Sequence, residues 1–423
     1  MEKIKKAIKK QKKLYLFLVK VYQVMYEFIR EKKKLYYLIL RMKTFVNKKY
    51  KLNSYKISSV KDFCSKNNLR YSIIEKEQLR EVCIPYFYGN QETEEIKKAT
   101  SREIYVAELI NAEIIGANSF IIADNSCLYD MAEADKDKRY DLRYGSLKII
   151  DKNIALVEYI GTNQVLEEAI FLIGFAPDNY YHVSIELLSR LQYIDYYEEY
   201  RSIPLLIDEI VLKVPQYRDL LEKINKYNHP IIPIQRDHMY KVKKLIYPSY
   251  NTWMPINVKG RSNLRAEDFL VANSGVEYIR NSILEDTKLE GYRKIYISRK
   301  NINNKRLLNN AEVAEMFAKY GFEIVFPENM SFEQQVETFS QAKYIAGSSG
   351  AALTNILYCP SNATIITIIP KEYNFHLYST ISKIINLQSI YLDAKIIKKA
   401  KNVSGDQVEI DLNYCNEFLK TLL

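Results

Sequence analysis

The segment that most restricts the fold runs from Arg293 to Pro370. Four apolar runs, "RKIYIS", "FEIVFPE", "AKYIAGS" and "ATIITIIP", are separated by polar stretches of helical period such as "NNAEVAEMFAKYG" and "SFEQQVETFSQ". Short apolar runs alternating with amphipathic helices are best satisfied by a parallel sheet covered by helices. One knot of small residues, Gly347-Ser348-Ser349-Gly350-Ala351, interrupts this alternation in a chain with only 12 glycines among 423 residues. Three readings are open: a plain tight turn, a cradle where backbone N–H groups approach an anion, or an elbow presenting a nucleophilic serine.

The remaining chain extends the α/β pattern. Residues 53–175 carry short strand-like runs, with Asp124-Asn125-Ser126 marking a turn between two of them. From "AIFLIGF" to "VKKLIYPS" strands alternate with helical segments, which argues for a mostly parallel sheet. Pro248 to Asn263 holds the best boundary signal, and the alternation restarts beyond it. The outline is a helical arm over residues 1–52, an N-terminal α/β domain over 53–260 and a C-terminal α/β domain over 261–423 ending in a helix, with a cleft between the two.

The net charge of +11 is unevenly placed. Residues 1–51 hold 17 Lys and Arg against 3 Glu, leaving 45 basic and 48 acidic residues for the body. Within the arm, Lys6, Lys13, Lys20, Glu27, Lys34 and Arg41 recur every seventh position, the mark of a helix with a narrow polar stripe and a broad apolar face. Its apolar stretches fall short of the roughly 18–20 residues of a membrane span. An in-plane helix on an anionic membrane surface is one expectation; packing on the body or in a homodimer is the other. A body without basic excess argues against nucleic acid. Five scattered cysteines without a CxxC pair suggest a reducing compartment and offer no zinc site, and the start of the chain lacks a signal-peptide pattern. A cytoplasmic protein, peripheral on the inner face of the plasma membrane, is expected.

The serine-elbow reading is the weakest. Downstream of Ser349 only His376 remains as a base, with Glu372 the sole acid between them, which leaves no separate acid-bearing loop. The phosphate reading gains from its neighbours. A helix is expected to start near Ala351, and "YISRKNINNKRLLNN" brings Arg299, Lys300, Lys305 and Arg306 to the end of a parallel strand, with Asn309 and Asn310 capping the next helix. The single D-x-D, Asp135-Lys136-Asp137, lies in a charged segment and reads as a solvated loop.

The run Ser298-Arg299, Arg306, Asn309, Pro327-Glu328, Gln335, Gly347, Gly350-Ala351, Leu353-Thr354-Asn355 and Pro370 resembles the signature region of glycosyltransferase family 61, whose members are often labelled capsular polysaccharide biosynthesis proteins. "DNYYHVSIELLSRL" is similar to the family's N-Y-x-H-W segment, with Asn179, Tyr181 and His182 in place. The chain departs from the family at Ser349, where a histidine is usual, at Asn310, where an acid is usual, and at Val183, where a tryptophan is usual.

The resemblance implies two facing Rossmann-like domains of the GT-B type and an inverting transfer, without an essential metal or cofactor, from a nucleotide-sugar to a growing surface or capsular polysaccharide. It places the donor diphosphate at Arg299, Arg306, Gly347, Ser348, Ser349, Gly350, Ala351 and Asn355, and the acceptor near Asn179 and Tyr181. Glu186 is the candidate base, with His182, four residues earlier on the same helical face, orienting acceptor or base; a buried His–Glu pair that only ties helix to strand is the other reading. The alternatives are an inactive relative that binds glycan as a scaffold and, behind it, the serine hydrolase.

Overall fold

The computed structural model describes residues 25–26, 28–90, 93–260, 264–284, 290–299, 306–400 and 403–423. The start of the expected arm helix, residues 1–24, and Lys300 and Lys305 beside the arginines lie outside that set. Helix α1 (Lys33–Val46) packs Tyr36 and Leu40 against Ile149 and Leu156 of the body.

Strands β1 (Tyr50–Ser58), β2 (Tyr71–Glu75), β3 (Leu79–Ile84), β4 (Tyr86–Phe87), β5 (Glu95–Thr100), β6 (Ile104–Ile115), β7 (Ile121–Ala123), β8 (Ser126–Leu128), β9 (Leu147–Asp151) and β10 (Ile154–Phe171) follow with only short helices between them. Then come β11 (Leu205–Asp208), β12 (Ile231–Ile234) and β13 (His238–Pro248). All of these except β3, β4 and β5 form one ten-stranded sheet along the path β1-β8-β7-β6-β13-β10-β11-β12, and β1 also pairs with β10, so the ladder closes on itself.

This first sheet is mixed. β10, β11, β12 and β13 pair in parallel, as their alternation with helices predicts. The earlier strands pair mostly antiparallel because short turns join them: Asp124 and Asn125, both at positive φ, close the β7–β8 hairpin. The Rossmann-like pattern expected of both halves is therefore not what the N-terminal half shows.

The C-terminal sheet is parallel throughout. β14 (Arg293–Ile297), β15 (Glu323–Val325), β16 (Ala342–Ser348), β17 (Thr364–Ile369) and β18 (Gln388–Asp393) take the order β15-β14-β16-β17-β18, and β4 from the N-terminal half completes the edge beyond β18. β19 (Lys395–Lys398) and β20 (Gln407–Glu409) form a separate hairpin. The helices Asn310–Lys319 and Phe332–Ser340 fall where the sequence predicts them, the second opened by a Ser331–Gln334 capping box.

The largest apolar cluster draws on both halves, from Ile170 and Leu191 to Leu353 and Ile356. It contains a helix that changes pitch twice: a π turn (His182–Leu187), a 3-10 turn (Leu188–Arg190) and an α turn (Leu191–Asp195). π turns inside helices frequently mark functional sites. Arg190 fixes this one. It is fully buried, donates to the carbonyls of Ile173 (3.2 Å) and Pro248 (3.1 Å) beyond the ends of β10 and within β13, and stacks on Tyr250 at 4.3 Å.

Replacing Arg190 by Met removes its donor from Pro248 O and leaves Ile173 O with only the Tyr250 hydroxyl at 3.3 Å. The expected loss is roughly 3 kcal/mol of stability, read as a lowered urea midpoint.

Candidate functional site

The small-residue turn begins where β16 leaves the sheet. Gly347 permits close approach to β14, since a Cβ there would lie 3.1 Å from that of Ile297. Gly350 is needed for a different reason. Its backbone is extended, but an added Cβ would stand 2.2 Å from Nη1 of Arg299, so the absence of a side chain makes room for the guanidinium. Ser348 is buried with its Oγ unpartnered among the described residues, and half-buried Ser349 donates its N–H to Ile368.

The segment after the turn, Ala351–Tyr358, is a 3-10 helix. Residues Leu353 to Tyr358 are all buried, so packing on every side, rather than an amphipathic period, sets its geometry. Asn355 lies within it, its Nδ2 donating to Ala352 O (3.1 Å) and its Oδ1 without a partner among the described residues.

Arg299 and Arg306 converge on this turn. Neither forms an ion pair among the described residues, and the Nε of each is buried and unpartnered. Burial lowers the pKa of both, and for Arg299 the neighbouring Arg306 cation lowers it further. Tyr378, from the helix Leu377–Ile384, lies in the field of both guanidiniums and donates its hydroxyl to Gly350 O at 2.6 Å. Burial pushes that phenol up to about 12, against the opposing pull of Arg306.

The C-terminal hairpin anchors Arg306. Val408 of β20 donates to Arg306 O (2.7 Å), and Asn309 grips the backbone of Ile410 on both sides, giving its Nδ2 to the carbonyl (2.7 Å) and taking the N–H at Oδ1 (3.3 Å). Asn309 occupies the helix-capping position, yet its side chain caps nothing, because it is committed to this clamp. Asn310 instead ties Ser298 to Tyr296, with donor–acceptor distances of 3.1 and 3.2 Å.

On the N-terminal side, the π turn holds Glu186 almost fully buried. Its Oε2 meets His182 Nδ1 at 2.7 Å and its Oε1 accepts from Thr252 at 3.1 Å. The His182 ring packs against Phe175 at 4.6 Å. Glu186 and Thr252 line a cavity of about 440 Å³ whose other walls include Tyr105, Tyr129, Tyr250, Trp253 and Arg102. An aromatic-walled cavity with a few convergent polar groups suits a ligand with apolar faces and hydroxyl edges.

Two tyrosine contacts join the halves of the site. Tyr180 and Tyr358 share a buried hydroxyl hydrogen bond of 2.7 Å. Tyr181 lies in the field of both Glu186 and Tyr378, and burial first, then that carboxylate, drives its phenol far above the ordinary value. Asn179 takes a local role, its Oδ1 accepting from Tyr181 N at 3.0 Å. Among the described residues no hydrogen bond links a histidine to Ser348 or Ser349; His376 sits in the core, edge-on to Phe269 at 5.4 Å. Asp135 takes the N–H groups of Arg139 and Tyr140, which makes the D-x-D segment a local turn.

The family model Glycosyltransferase 61 matches residues 180–366, from the tyrosine at the joint to the middle of β17. This part of the chain is similar to glycosyltransferase 61. The match takes in His182, Glu186, both arginines and the whole small-residue turn. An alpha-1,3-arabinosyltransferase, XAT3, of Oryza sativa subsp. japonica is 28% identical over 165 residues, covering 37% of this chain. The chain spans about 28% of that relative's length. Tyr378, the β20 clamp, Arg102 and Tyr129 lie outside the glycosyltransferase 61 match, and no local motif signals them.

Two outcomes follow from this geometry. Gly350→Ala pushes the Arg299 guanidinium out of its seat, so pyrophosphate should bind about tenfold more weakly by calorimetry, a loss of about 1.4 kcal/mol, with an unchanged circular dichroism spectrum. His376 is held near pKa 4 by burial and, secondarily, by Lys97, so between pH 4 and 6.5 the unfolded chain binds a proton that the folded one refuses. Stability therefore rises with pH across that window and is lost as pH falls. His376→Leu should flatten that slope, sparing on the order of 2–3 kcal/mol at the acid end of denaturant titrations.

Proposed function

We propose that this chain is a glycosyltransferase that moves a sugar from a nucleotide-sugar donor to a hydroxyl of a glycan acceptor. The observation that carries the reading is a pair of half-buried arginines whose Nε atoms are buried and which have no carboxylate partner among the described residues, Arg299 seated against Gly350, both within the segment matched by glycosyltransferase 61. Such a pair is costly to bury, and a diphosphate supplies the missing negative charge in bidentate geometry.

In this reading the C-terminal sheet holds the donor and the aromatic cavity receives the acceptor, the two facing each other as in a GT-B enzyme. Glu186, oriented by His182 and Thr252, takes the proton of the acceptor hydroxyl. The freed oxygen bonds to the anomeric carbon as the bond from that carbon to the diphosphate oxygen breaks. The electron pair leaves with the diphosphate, and a single displacement inverts the anomeric centre. Arg299 and Arg306 stabilise the charge that builds on the leaving group, work that a divalent ion does elsewhere, so transfer proceeds without one.

A second reading, a relative that binds glycan without transferring sugar, draws on Ser349. The family's histidine at that position is replaced by a hydroxyl, which donates a hydrogen bond but carries no charge. Glycan binding without nucleotide release by the wild-type protein would select it.

Arg299→Ala removes charge whose burial is unfavourable, so the fold should persist while transfer falls at least about 100-fold and the thermal shift given by a nucleoside diphosphate disappears. Glu186→Gln should lower kcat by about 10²–10⁴ while the nucleotide shift remains. Chelation with EDTA should leave the rate unchanged. Full transfer by Arg299→Ala sinks the diphosphate assignment.

A further inference from the structure

Helix α1 has two usable faces, and the fold buries one. Lys33, Tyr36, Leu40 and Lys43 point at the body, where Tyr36 and Leu40 are buried and the lysines pair with Asp151 and Glu158, each at 2.6 Å. On the other side Leu35, Leu38, Ile39, Met42, Phe45 and Val46 recur at helical spacing, and all are exposed, Phe45 to 84% and Val46 to 82%. Lys34 and Arg41, both exposed, border this stripe along one edge. Six large apolar side chains in one row make a contiguous patch of the kind that marks an interaction surface.

We propose that this face of α1 seats the protein on an anionic lipid surface, with the helix lying in the plane of the headgroups. Charge decides between occupants. Residues 1–51 carry 17 basic and 3 acidic side chains, so a second copy docking here would bring like charge to like, whereas acidic headgroups neutralise it. Length sets the orientation. Among the described residues no helix is long and apolar enough to cross a bilayer, and the 14 residues of α1 span only about 21 Å. An in-plane helix places its apolar row among the acyl chains and lets the bordering Lys34 and Arg41 reach back to phosphates. The two lysine–carboxylate pairs on the inner face then carry the body to the surface with the helix.

Co-sedimentation of the full chain with vesicles tests this. Vesicles of phosphatidylcholine plus phosphatidylserine should retain the protein at least tenfold better than phosphatidylcholine alone, and added salt should weaken the difference. The double variants Leu38→Glu/Met42→Glu and Lys34→Glu/Arg41→Glu should each lose that retention while keeping the wild-type melting temperature, since the altered side chains face outward. Hydrogen exchange of residues 35–46 in the wild type should slow on the anionic vesicles alone. Equal retention on both vesicle types, or on neither, overturns the proposal. So does a dimer seen by light scattering that Leu38→Glu/Met42→Glu dissolves, which would assign the face to a second copy.

Discussion

Two half-buried guanidinium groups, those of Arg299 and Arg306, stand in each other's field with no carboxylate bonded to either among the described residues, and part of the C-terminal half is arranged to tolerate that. A buried cation ordinarily draws in an acid or loses its proton. Here Arg299 lies in space left by a glycine, and Arg306 is held by a hairpin that arrives about 100 residues later in the chain. Tyr378 faces both through a hydroxyl anchored on Gly350. The fold keeps an unfavourable charge in a fixed position, the charge that the proposed diphosphate would neutralise.

Tyrosine does much of the joining. The N-terminal half ends its long parallel strand at a helix whose first turn is widened, and the buried Tyr180–Tyr358 hydroxyl pair couples that turn to the 3-10 helix after the glycines. Tyr378 adds a neutral hydroxyl, donated to Gly350 O, beside the arginine pair. A chain with 36 tyrosines thus spends several of them where an apolar body and a polar tip are needed together.

What the sequence disclosed was local. The strand-turn order around Gly347, the capping box at Ser331, the parallel order of the C-terminal strands, and the His182–Glu186 spacing all follow from periods and turn residues that neighbours in sequence control. The misses share one cause. Asn309 reads as a cap because a cap is a local preference, and only the distant Ile410 backbone recruits it away. The segment from Ala351 reads as an ordinary helix because nothing in it records that Leu353 to Tyr358 are buried on all sides. The hairpins of the first sheet carried their turn signals, but strand pairing across long separations, such as β1 with β10, leaves no mark in either strand.

The short strand β4 has a further consequence. Tyr86 and Phe87 register against Ile390 and Tyr391, and the backbone of Cys83 beside them donates its N–H to the Thr380 hydroxyl and accepts from the Ser379 hydroxyl. This edge of the C-terminal sheet is therefore made about 300 residues before its partner during synthesis. Until the last part of the chain emerges, those residues have no sheet to join. The two halves cannot mature one after the other as independent beads, and a nascent chain depends on delayed closure of that seam to avoid pairing it wrongly.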